Sequence, residues 1–209
     1  MTQSNFCIDK TRCLIAVMHR SIMPQVLKMA HVLAKLQRTL DVYEGLFGSK
    51  EDAAVILQSF NEIGDSLKSA LATHLIIGCA AIFSDPEKSC GNANMSLRNL
   101  VAKHEGSLGK DSQRLLNDIW ELVEKMNLKT FRNKHVGHFG LEECLGYSQV
   151  DRDLTVQSVR SLLKKADLLI NYLIADASIM PEGDYLAYYS KIPTPRGTDE
   201  FLKRLQNNA

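Results

Sequence analysis

Apolar residues recur at spacings of three and four along most of this chain. Val26, Met29, Leu33, Leu36, Leu40, Tyr43 and Phe47 form one such series, the pattern of a helix with a single apolar seam. Pro24 suits the first position of that helix, and Gly48 closes it. Ser49 with Asp52 reads as a capping-box start for a second helix, which runs toward Phe83 with a bend near Gly64. "SDPEKSCGNAN" then signals a loop. Ser96 caps a short helix that stops at Gly106. From Asp111 a fourth helix carries Leu116, Ile119, Val123 and Met126 on one face. Its phase slips before Phe131, which predicts a bend or break near Asn127. A polar link, "EECLGYSQVDRD", leads to Thr155, the cap of a fifth helix bearing Val159, Leu163, Ala166, Ile170, Leu173 and Ala177. A proline-containing arm and a short helix, "DEFLKRLQNN", end the chain. Only "CLIAVMHRSI" near the N-terminus alternates as a strand would, and there are no repeats. The expectation is an all-α fold, an antiparallel four- to five-helix bundle over residues 21–178. An N-terminal segment (residues 1–20) precedes it, and a C-terminal arm with a short helix (residues 179–209) follows.

Composition narrows the classes. With 209 residues, 45% of them hydrophobic, the chain can bury a sizeable core. A net charge of +1 gives no overall attraction for duplex nucleic acid or an anionic membrane, so any nucleic-acid contact has to come from a local patch. The five cysteines make an odd set with no C-x-x-C pair, which suits reduced thiols in a cytoplasmic protein. No secretory signal pattern opens the sequence. The most apolar run, residues 70–83, is short for a membrane span and reads as a buried central helix, with His74 a hydrogen-bonded core residue.

One stretch changes this picture. In "FRNKHVGHFG" (residues 131–140), Arg132, Asn133 and Lys134 are followed by His135 and His138. Between Lys125 and Leu141 there is no acidic residue, while Lys125, Lys129, Arg132 and Lys134 are basic. Arginine presents a planar fork to phosphate oxygens, and histidine exchanges a proton near neutral pH. Together they suit metal-free RNA cleavage, in which the 2′-hydroxyl attacks the adjacent phosphate. On a regular helix, residues six apart point about 120° away from each other. Arg132 and His138 therefore meet only if the helix is distorted near Gly137, if the long arginine swings round, or across a dimer. The structural alternative is an ion pair of Arg132 with Glu121, Glu142 or Glu143. No third ligand accompanies His135 and His138, so neither a metal nor another cofactor is expected.

Arg132-Asn133, followed by His138 after five intervening residues, resembles the signature of the HEPN superfamily (higher eukaryotes and prokaryotes nucleotide-binding). The apolar helix ending in "IFSDP", the "NMSLRNLV" helix, "RNKHVGH" and the last long helix are similar to the AbiU-like abortive-infection branch. The likeness spans roughly residues 20–178. It implies a helical bundle that dimerises so that two motifs face one cleft, and a metal-independent ribonuclease of toxin or abortive-infection type. It also implies Arg132 and His138 as the catalytic pair and Asn133 as the polar orienter, with Lys129, Lys134 and His135 on the RNA. The implied partners are RNA, a second copy of the chain, and an antitoxin such as a minimal nucleotidyltransferase. Gly137 stands where alanine is usual, and His135 is additional. A non-catalytic member that binds a nucleotide, RNA or protein is the alternative.

Overall fold

The computed structural model describes residues 5–103, 108–133, 154–176 and 197–208. The protein is mostly helical. Among the described residues there are eight helices: α1 (Asn5–Phe47), α2 (Lys50–Ser59), α3 (Asn61–Phe83), α4 (Leu97–Ala102), α5 (Lys110–Met126), α6 (Leu128–Phe131), α7 (Val156–Asp176) and α8 (Gly197–Asn208). A two-stranded antiparallel hairpin, β1 (Lys88–Ser89) and β2 (Asn92–Ala93), sits between α3 and α4. Its turn residues Cys90 and Gly91 both have positive φ, the backbone that a two-residue hairpin turn demands.

The predicted caps form. The Ser49 hydroxyl accepts from the Asp52 N–H at 3.0 Å, that of Ser96 from the Asn99 N–H at 3.3 Å, and that of Thr155 from the Ser158 N–H at 3.1 Å. The apolar seams meet in one main core. Val26, Met29, Leu33, Leu36 and Leu40 of α1 pack there with Ile119, Val123 and Met126 of α5 and Leu163, Ala166 and Ile170 of α7. A smaller cluster, Leu46, Phe47, Ile56 and Leu202, fastens α8 against α2 and the end of α1. At Gly78 an added Cβ would lie 2.5 Å from Leu36 Cδ2, so a larger residue there would force the buried Leu36 side chain to shift.

Four expectations give way. Pro24 lies inside α1 rather than at its start, and "CLIAVMHRSI" is helical backbone, not a strand. An interior proline forfeits one backbone bond and costs about 3 kcal/mol, yet its φ is already helical, so the helix continues through it. The break after α2 falls at Phe60, with φ −145° and ψ 56°, not at Gly64. Gly64 instead lets the first turn of α3 rest on Ile56, where a Cβ would meet Cγ2 at 3.0 Å.

The fourth concerns α3, expected as a buried central helix. Leu75, Cys79, Ile82 and Phe83 do enter the core, but the opposite face is bare. Ile63 is 69% exposed and Ile77 45%, Leu67 and Phe60 are exposed as well, and so is His74. His74 is therefore no core residue. Residues 63, 67, 70, 74 and 77 follow strict three-four spacing, and at 100° per residue this stripe lies opposite the buried side. By length and composition Glu62–Phe83 is long and apolar enough to cross a membrane, and 28% of its most apolar window is buried.

Candidate functional site

Asn127 has φ 47° and ψ 39°, a left-handed residue that ends α5 where the apolar phase slips. The chain restarts at once as α6, whose Leu128 is buried. Arg132 and Asn133 follow in a wider, π-type turn, a local irregularity often found where side chains must be aimed. Leu128 and Phe131 face Leu75, Ile76 and Cys79 of α3 across a hollow of about 170 Å³. That packing fixes the root of the Arg132 side chain.

The guanidinium then meets the loop after α3. Arg132 Nη1 donates to Asp85 Oδ1 at 2.6 Å, and Nε donates to Asn133 Oδ1 at 3.2 Å. Both members of the ion pair are about a quarter exposed, at 26% and 29%. Asp85 is held by its loop: the Pro86 carbonyl accepts from Asn94 Nδ2 at 3.0 Å and from Ser96 Oγ at 3.2 Å. Asn99 Nδ2 also donates to the Asn94 carbonyl at 2.6 Å. None of the carboxylates named as alternatives is the partner seen. Glu121 is not bonded to Arg132, and Glu142 and Glu143 lie outside the described residues. An acid 47 positions upstream won because α6 packs on α3 next to the end of that helix.

A cavity of about 550 Å³ opens beside this pair, walled by Ser84, Pro86, Arg98, Val123, Glu124, Asn127, Leu128 and Lys129. Lys129, expected on the RNA, is one of the residues that wall this hollow. Lys134, His135 and His138 lie outside the described residues, as does Gly137. The structure thus joins Arg132 to Asn133 and Asp85, while the place of both histidines is not described. Among the described residues no group of His, Cys, Asp or Glu is arranged to hold a metal ion. Burial pushes the Cys79 thiol up to about 12, which leaves it protonated and inert; Cys90 is exposed.

Asp85, Arg98, Trp120, Ser84 and Glu124 were not among the residues the sequence singled out. Asp85 carried one signal, its place directly after the apolar helix in "IFSDP". The others carried none, since α4 and α5 meet only in the fold. The chain matches no known family model, no curated protein and no solved structure.

Proposed function

We propose that this protein is a HEPN-like, metal-independent endoribonuclease of toxin or abortive-infection type, with Arg132 and His138 as the catalytic pair. The observation that carries the reading is Arg132 itself, oriented by Asp85 and Asn133, in a loop whose neighbours Ser84 and Pro86 help wall a cavity that also holds two further cations. In this chemistry a base takes the proton of the RNA 2′-hydroxyl, whose oxygen attacks the adjacent phosphorus. An acid protonates the departing 5′-oxygen, and Arg132 balances charge on the non-bridging oxygens. The products are a 2′,3′-cyclic phosphate and a free 5′-hydroxyl.

Incubating the full chain with single-stranded RNA in EDTA should give those ends, and His138→Ala should reduce cleavage about 10²–10⁴-fold. Cleavage that requires added magnesium would overturn the mechanism. A second reading, a non-catalytic RNA- or nucleotide-binding domain, is favoured by one fact: Arg132 already has a carboxylate at 2.6 Å, which an incoming phosphate has to displace or share. RNA binding without cleavage by the wild type would select it.

The composite site also needs two copies of the chain. The bare apolar stripe of α3 supports self-association, since Ile63, Leu67 and Ile77 are exposed along one face of the helix. Sedimentation should show a dimer that Leu67→Glu converts to monomer; a wild-type monomer at micromolar concentration would remove the composite site. An antitoxin partner and a cytoplasmic setting belong to the same proposal.

A further inference from the structure

Arg98 and Lys129 reach the cavity beside Asp85 from different helices, α4 and α6. Neither makes an ion pair among the described residues. The Arg98 guanidinium lies over the Trp120 ring, 4.6 Å from its centroid. Stacking of that kind fixes the plane of the group while its N–H edges stay free for an anion. Ser84, in the same wall, keeps its Oγ buried without a hydrogen-bond partner among the described residues. Among the described residues, Glu124 is the one carboxylate lining the hollow.

These groups discriminate between ligands. A bare inorganic anion would meet the two cations but also face Glu124. A ribonucleotide gives its phosphate to Arg98 and Lys129 and offers ribose hydroxyls that Glu124 can accept. At about 550 Å³, the hollow falls within the usual range for small-molecule sites. Arg98 and Trp120 also border a second hollow of about 490 Å³, so the surface continues past the first.

We propose that this cavity is a nucleotide subsite for single-stranded RNA, holding the unit next to the phosphate that Arg132 engages, with Glu124 distinguishing ribose from deoxyribose. The assignment rests on the reading of Arg132 as an RNA site.

The test is binding of a short fluorescein-labelled RNA, and of DNA of the same sequence, to the full chain carrying His138→Ala so that no strand is cut. Adding Arg98→Met should weaken RNA binding about 10-fold and lower the slope of log affinity against log salt by about 1. Glu124→Ala should narrow the preference for RNA over DNA severalfold. Lys129→Met, on another helix, gives an independent measurement should Arg98→Met melt early. If both cation variants bind RNA as tightly as their parent, with an unchanged salt slope, the subsite is wrong even where wild type cuts RNA. If they weaken binding as stated while wild type never cuts, the subsite stands and the catalytic reading falls. Failure of every protein to bind RNA overturns both.

Discussion

Two half-buried arginines, Arg160 and Arg132, tie distant parts of this chain together, and their surroundings differ in kind. Arg160, on α7, donates through Nη2 to Asp41 at 2.8 Å and also to Glu44, both on α1. It is 25% exposed and faces two carboxylates, so its neighbourhood is net negative. Arg132 is equally exposed but faces one carboxylate, and the adjoining cavity presents Arg98 and Lys129. The first arrangement closes a gap between helices and leaves nothing for an anion to join. The second leaves positive charge beside an open hollow. An ion pair alone therefore says little about role; the charge around it and the space beside it say more.

Exchanging the two arginines for alanine breaks the comparison most directly. Arg132→Ala should cut RNA cleavage about 10²–10⁴-fold, the worth of one charge-stabilising group. Arg160→Ala should leave cleavage within about twofold yet destabilise folding by about 1–2 kcal/mol, because two partly buried carboxylates lose their partner. Cleavage assays and urea melts of both variants read the two effects separately. Equal loss of cleavage in both, tracking loss of stability, would place the arginines in one structural class.

A smaller effect separates two carboxylates near the α5–α7 contact. Asp118 bonds Lys165 Nζ at 2.7 Å, and that bond with its charge holds the carboxyl below its ordinary range. Asp167 has no such partner among the described residues, and partial burial raises its carboxyl above that range. The signs are opposite. The Asp118 contribution is present above the unfolded-state value and is lost as pH falls through the lowered folded value. Asp167 costs stability once ionised, and that cost disappears as pH falls through the raised folded value to the unfolded one. Asp167→Asn should therefore be the more stable protein at pH 7, by less than about 0.5 kcal/mol for so partly exposed a group. Melts from pH 7 to pH 3 should show the gap closing; a gap that persists at pH 3 would assign it to packing instead.

The sequence by itself determined what is local. Helix periodicity, the hydroxyl caps at Ser49, Ser96 and Thr155, and the break at Asn127 depend on neighbours within a turn or two, and all are present. Arg132, Asn133 and Lys129 stood out for the same reason, as a basic run free of acids. Only the tertiary structure decided which faces find partners. Periodicity says that α3 is apolar, but the packing of α1, α4 and α6 against one side leaves Ile63, Leu67 and Ile77 bare. Pro24 at a helix start and Pro24 within a helix look alike until the residues before it are seen to continue the same turn. The partner of Arg132 comes from 47 residues away, and Arg98 meets Trp120 only where α4 crosses α5. Spacing along a chain fixes which residues share a helix face; which faces meet depends on how the helices close around a common core, and that is where Asp85 and the cavity arise.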